Sequence, residues 1–423
     1  MALTVVTVPD DVSHCFNEVK CQIETDLPLS TDNLIIVCVL YVELVYNSGT
    51  YTLVAKQWIK PDVNGLASFF WQTQLADCFE KLYTIPVYGS TVPFLVSRQV
   101  KRYKLIAGEY SGIPRTVTDY INTGPLTDIR HVQRGGISKQ AFQMRPYFTP
   151  TGWAMGVLGV ELPFPLPSLP LIPPFLDWSG RTITTSRGMD ESLYFHFETI
   201  AGASTVTADV MVEYTLEDLS TTTFVYGTIA TVNQYEVWYI PAGFEQLGLD
   251  AIEILAGQKI LNYSVWLRGM VGIFQLDFTE KKTYTVENLG TGHFTQIMYA
   301  NSLGTFSHLL MVGVPKHEPK VSKNESTAYH ELGMPTYWAE SVNMATEVAD
   351  NITQATGFVP AAKKKQFQEM LASQCILVRV SALGWVRIKL LTKSLELTPD
   401  KNLHRADISF SYDRNSFTPN IVD

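Results

Sequence analysis

Short stretches that alternate apolar and polar positions recur along most of this chain. Val19, Cys21 and Ile23 alternate with Lys20, Gln22 and Glu24, the period of two that sets one face of a strand on a core. Residues 34–46 are almost continuously apolar, as a strand buried on both faces would be. Asn47-Ser48-Gly49 then supplies turn residues, residues 50–59 return, and residues 61–65 turn again before a strand at 66–71. With residues 94–96 and 102–106, this spacing predicts an immunoglobulin-like β-sandwich over 1–112. Residues 192–198, 206–214, 223–227, 235–240, 259–268 and 271–279 repeat the pattern, with one helical turn at 241–249. They predict a second sandwich over 178–290. A β-rich domain follows over 291–423. In it Phe367, Met370, Leu371 and Gln374 recur at helical spacing, either with Pro360 near the helix start or, since Lys363, Lys364 and Lys365 in a first turn would oppose the helix dipole, with the helix beginning near Lys365. Strands at 375–380, 385–391 and 405–412 complete a small C-terminal α+β unit, and the polar stretch 316–331 reads as a mobile interruption. The expected fold class is mainly β and multidomain, with immunoglobulin-like sandwiches plus that α+β unit.

The regular pattern fails over 113–177, read as an irregular Pro-rich connector. Residues 113–136 look loop-like, and Ser138 can cap a short helix at 139–144. Residues 162–174, LPFPLPSLPLIPP, place six prolines among leucines and a phenylalanine. Proline fixes φ and removes the amide donor, so this segment is expected as extended polyproline II. An ordinary linker is polar, whereas Leu162, Phe164, Leu166, Leu169, Leu171 and Ile172 are apolar. They are the interface candidates, in a strap lying on the chain's own domains or on a neighbouring subunit. The PxxP spacing leaves recognition by an SH3-type partner as a further reading.

Charge narrows the choice of partners. Charged residues are 17% of the chain, below the roughly 25% usual in soluble proteins, so much of the surface is expected to meet protein. The 32 basic and 41 acidic residues give a net charge of −9, and the basic ones are dispersed apart from Lys363, Lys364 and Lys365. Direct nucleic-acid binding needs clustered cations, so none is expected. No apolar run is long enough to span a bilayer, and the first residues lack a signal-peptide pattern. Synthesis in a cytosol is therefore expected, and the five cysteines read as buried thiols rather than a disulfide framework.

The motifs of common catalysis are missing. His330-Glu331 lacks the second histidine of a zinc-hydrolase helix, and no histidine pairs with another ligand at metal spacing. His196, between Phe195 and Phe197, reads as the polar face of a strand. There is no G-x-S-x-G elbow, Walker loop or dinucleotide fingerprint. Asp190 with Glu191, and Glu213 with Glu217 and Asp218, are carboxylate groups that read as solvated loop rather than a glycosidase pair. Trp178, Trp238, Tyr239, Trp266, Tyr337 and Trp338 are candidates for stacking on sugar, though aromatics at strand spacing more often belong to a core or an interface. No catalytic residue, cofactor or metal is expected.

Three pieces carry a resemblance. Arg102 to Tyr110 (RYKLIAGEY), the turn Asn301-Ser302-Leu303-Gly304-Thr305-Phe306 between two strands, and the helix and strands from Phe358 onward are similar to segments of β-rich virion proteins of tailed phages that infect Bacteroidetes-type bacteria. Residues 162–174 depart from that pattern by their length. The resemblance implies a non-enzymatic structural component of a virion, tail tip or baseplate, that works by assembly. Its partners would be copies of itself, in a ring-like homo-oligomer, and other virion proteins. It also implies that Asn301, Ser302, Leu303, Gly304 and Phe306 form a structural turn. The alternative is a receptor-binding protein that grips a host surface glycan or protein through an aromatic-lined site within 178–280.

Overall fold

In the computed structural model, residues 3–9, 12–26, 34–79, 83–111, 121–125, 128–136, 155–157, 175–177, 182–200, 205–271, 274–287, 294–327, 341–360, 364–380, 384–392 and 403–412 are described. The chain is mainly β, with several sheets and three short helices among the described residues. It divides into two compact units. One comprises Met1–Asp177, Arg181–Glu287 and Asn301–Phe306, and the other Trp178–Gly180, Asn288–Ala300 and Ser307–Asp423.

In the first unit, Lys20–Thr25 lies between Leu3–Thr7 and Leu66–Phe70 in an antiparallel three-stranded sheet. A six-stranded sheet runs Val12–His14, Arg130–Gln133, Val100–Ser111, Leu34–Val42, Thr52–Ile59, with Ile121–Pro125 also paired to Val100–Ser111. The alternation in Lys20–Thr25 turns Cys21 and Ile23 inward, where they share a core with Phe69, Trp71, Ile36, Cys38, Leu40 and Leu105. Leu34–Val42 is nearly all buried because it is interior in its sheet and lies under that core.

The same unit holds a second pair of sheets. One runs Met155–Val157, Ser192–Ile200, Glu236–Pro241, Phe94–Leu95; the other runs Thr182–Thr185, Lys282–Val286, Ile260–Val271, Thr205–Leu216, Thr221–Asn233, with Phe274–Asp277 on Ile260–Val271. Leu193, Phe195, Phe197 and Ile240 from one sheet meet Val210, Val212, Tyr263 and Val265 from the other. The sequence assigns residues 94–96 to the first sandwich. Instead Phe94 and Leu95 pair with Tyr239 and Trp238, and the Val96 amide donates to the Val237 carbonyl at 2.8 Å. Too short to show a period, this strand gives no sequence clue to its partner.

The second unit is a seven-stranded antiparallel sheet in the order Phe306–Val312, Phe294–Ala300, Ile376–Val380, Gly384–Leu390, Leu403–Tyr412, Ser341–Pro360, Lys316–Thr327. The helix Lys364–Ala372 seals one face, with Phe367 and Met370 packed among Ile297, Tyr299, Ile376 and Val378.

Several sequence expectations are corrected. Residues 316–327 are a strand, paired with Ser341–Pro360 from Lys316 opposite Thr353 to Thr327 opposite Ser341. Residues 316–320 are exposed, so no hydrophobic alternation marks the strand. Pro360 ends a strand, opposite Leu403, and the helix begins at Lys364, next to the alternative start at Lys365. Arg130–Gln133, expected as loop, is an interior strand whose buried residues include His131 and Gln133; polar composition conceals it. The helical turn expected at 241–249 is present, with the Leu247 amide bonded to the Gly243 carbonyl at 3.0 Å, but the helix Leu249–Ala256 that follows it lies beyond the sequence expectation. Residues 139–144 and the strap at 162–174 lie outside the described residues.

Candidate functional site

The Asn301–Phe306 turn is built by one side chain. Asn301 Oδ1 accepts the amides of Leu303 at 3.0 Å and Thr305 at 3.1 Å, and the Asn301 carbonyl accepts the Gly304 amide at 3.0 Å. Such Asx-type bonding is what makes asparagine a turn former. The left-handed residue is Gly304, at φ +86°; Asn301 supplies its amide group instead of the positive φ its residue type also tolerates.

The turn is buried within the first unit. Leu303 and Thr305 are fully buried, and Asn301 and Phe306 nearly so. Asn301 Nδ2 and Thr305 Oγ1 both donate to the Leu176 carbonyl, at 3.0 and 2.7 Å. The Gly136 amide donates to the Ser302 carbonyl at 2.6 Å, and Gln133 Nε2 to the Leu303 carbonyl at 3.3 Å. A Cβ on Gly304 would come 2.1 Å from the Arg134 carbonyl oxygen, and one on Gly135 would come 2.6 Å from the Leu303 backbone. Two backbones therefore touch where neither carries a side chain. Tyr83 packs against Phe306, ring centroids 5.5 Å apart, and carries the Arg134 guanidinium 3.6 Å from its own centroid. Ser302, Leu303 and Gly304 are thus brought against Gln133, Arg134, Gly135 and Leu176, none of which the sequence singled out. The adjacent Gly135 and Gly136 were the available signal. Leu162, Phe164, Leu166, Leu169, Leu171 and Ile172 lie outside the described residues.

A second grouping is polar. His196 is 1% exposed, not on a polar face. Burial, followed by the positive charges that His14 and His131 can carry, pushes its pKa down to about 3. Burial, then the Arg102 and Arg130 guanidiniums, does the same to His131. His131 stacks on Tyr235 with ring centroids 3.8 Å apart and reaches the wall of an open cleft of about 360 Å³ that Tyr46, Asn47, Arg102, Gln234 and Tyr235 also line. Asn47 and Tyr235 hold left-handed backbones at φ +59° and +66°. Beneath the cleft, the fully buried Glu43 accepts the amides of Asn47 at 3.2 Å and Gly49 at 2.5 Å and lies 3.8 Å from Arg102 Nε. Glu236 accepts from the Asn233 amide, Asn233 Nδ2 and Trp238 Nε1 at 2.9, 2.7 and 2.9 Å. Among the described residues no cluster of histidine, cysteine and carboxylate side chains is arranged to hold a metal.

Other sequence candidates fall elsewhere. Tyr239 and Trp266 are 1% exposed and Trp238 is half-buried, so the first two offer no exposed ring. Trp178, Tyr337 and Trp338 are outside the described residues. Asp190 and Glu191 are buried rather than in a solvated loop: Asp190 accepts the Gly89 amide at 2.6 Å and Glu191 the Thr185 hydroxyl at 3.3 Å. Glu213 pairs with Lys281 at 3.2 Å, and Asp218 with Ser220 at 2.6 Å. No described helix is long and apolar enough to cross a membrane.

No protein-family model matches the chain, and no curated protein matches it. Among solved structures, the native conformation of Escherichia coli alpha-2-macroglobulin is similar at 8% identity and a TM-score of 0.21, over 84% of this chain and 21% of that one. Trypsin-activated alpha-2-macroglobulin from Escherichia coli is similar at 8% identity and a TM-score of 0.16, over 96% of this chain and 42% of that one. The chain thus spans under half the length of either.

Proposed function

We propose that this chain is a non-enzymatic structural component of a phage virion, in the tail tip or baseplate, acting by assembly with copies of itself and with other virion proteins. The reading combines the three sequence segments that resemble such proteins with one structural observation. Thr52–Ile59 is an edge strand, paired among the described residues only with Leu34–Val42. It leaves Leu53 44% and Trp58 43% exposed. An edge strand offers unpaired backbone groups to another chain, and natural monomers usually blunt such edges with charge or proline. This edge carries Lys56 and a bulge, but the exposed apolar Leu53 and Trp58 beside them fit an edge that is covered in an assembly. Heterologous contacts of this kind close into rings when the rotation permits.

The test is the mass of the full chain by light scattering over a concentration series, beside the Leu53→Lys/Trp58→Lys variant and a variant lacking residues 162–174. A defined oligomer that the edge variant reduces to folded monomers supports assembly through this strand. Loss of the oligomer only on deletion of 162–174 moves the contact to the strap. A monomer at every concentration overturns self-assembly.

A further inference from the structure

The cleft lined by Tyr46, Asn47, Arg102, His131, Gln234 and Tyr235 has the size and lining of a ligand site. Its volume of about 360 Å³ lies near the small end of the roughly 300–1,000 Å³ usual for small-molecule pockets. His131 contributes to the wall with its ring stacked on Tyr235, centroids 3.8 Å apart. Two of the three non-glycine residues with positive φ among the described residues, Asn47 and Tyr235, stand on this wall. Tyrosine is a poor choice for such backbone, and strain of this kind concentrates at functional positions.

The charges limit what would bind. Arg102 is the guanidinium on the wall, and it is offset by Glu43 and turned over the Tyr46 ring, 5.4 Å from the centroid. Glu236 is 4% exposed, and its carboxylate accepts three neutral donors. His131 is neutral at pH 7 because burial and the two arginines suppress its charge. Arg102 is met by Glu43 and Glu236 is nearly inaccessible, so neither offers a ligand ion an open partner. What remains are the amides of Asn47 and Gln234, which both donate and accept, and the half-buried rings of Tyr46 and Tyr235. Hydroxyl groups match the amides, and C–H faces match the rings.

We propose that this cleft binds a neutral saccharide of one or two rings, with Tyr46 and Tyr235 against the sugar face and Asn47 and Gln234 on its hydroxyls. The site does not depend on the virion reading and would serve equally a chain that contacts cell-surface glycan.

Saturation-transfer NMR on the full chain tests it, with glucose, galactose, mannose and N-acetylglucosamine each offered to about 50 mM, since so small a ligand is expected to bind weakly. Acetate and phosphate serve as anionic probes. At least one sugar is expected to receive saturation. Gln234→Ala, and Asn47→Gly, which keeps a residue at ease with the left-handed backbone, are each expected to weaken it about three- to tenfold without moving the unfolding midpoint. Silence from all four sugars overturns the proposal. So does sugar binding unchanged in both variants, or binding of the anions in place of sugar. The light-scattering mass is unaffected by any of these results, so the two readings fail separately.

Discussion

At the scale of single residues, the contact between Gly304 and Arg134 is the least tolerant point described. A methyl group there would meet a carbonyl oxygen at 2.1 Å on a backbone with φ +86°. Gly304→Ala is expected to cost about 3 kcal/mol or more, read as a lower denaturant midpoint. Lys282 and Asp177 form a buried ion pair at 2.9 Å, exposed 1% and 9%. Lys282→Met strips Asp177 of that charge and is expected to cost about 3 kcal/mol, and Lys282→Met/Asp177→Leu to recover much of it. His131 and His196 set an acid limit. Their folded pKa values, about 3, lie below the unfolded value of 6.5, so below pH 6.5 the unfolded chain binds protons that the folded one refuses. Their contribution is complete above pH 6.5 and declines as pH falls toward 3, on the order of 2 kcal/mol per histidine at pH 5. Midpoints at pH 7 and pH 5 should differ accordingly, and His196→Phe should narrow the difference. Sequence alone marks these histidines as lacking a metal spacing. It does not show that the strands carrying His131 and His196 converge, because they belong to different sheets and meet only through tertiary packing.

At the scale of elements, what the sequence makes legible follows burial. Leu34–Val42, Ser192–Ile200, Thr205–Leu216 and Ile260–Val271 carry apolar patterns because each packs on a core, and each lies within or across a range read from the sequence. Lys316–Thr327 stays hidden because its exposed stretch has no buried face to impose a period. The helix Lys364–Ala372 is legible through the residues that seal the second unit's sheet. Phe367, 1% exposed among Ile297, Tyr299 and Ile376, is expected to cost about 3–5 kcal/mol when changed to alanine. Faster amide exchange in Phe294–Ala300 and Ile376–Val380 would accompany that loss. Ile254 and Leu255, on the helix Leu249–Ala256, are 80% and 87% exposed, and changing either to glutamate should shift stability by under about 0.5 kcal/mol.

At the scale of the whole molecule, the mainly β, multidomain class is readable from strand spacing, while the grouping of segments is not. Phe94–Leu95 joins a sheet whose other strands begin 60 residues later or more, at Met155–Val157, and the turn at 301–306 belongs to a unit whose preceding segment ends at Glu287. Such long-range closures leave no local trace in composition. The turn has a further consequence for how the protein comes into being. Leu176 waits for Asn301 across 125 residues, roughly ten seconds of ribosomal synthesis. Throughout that interval the Leu176 carbonyl and the bare backbone at Gly135 stand without the segment that covers them. The first unit is therefore completed out of order on the nascent chain: a polypeptide stalled at residue 287 should be cleaved by protease near residues 133–136, and one stalled far enough beyond 306 to free the turn from the exit tunnel should resist.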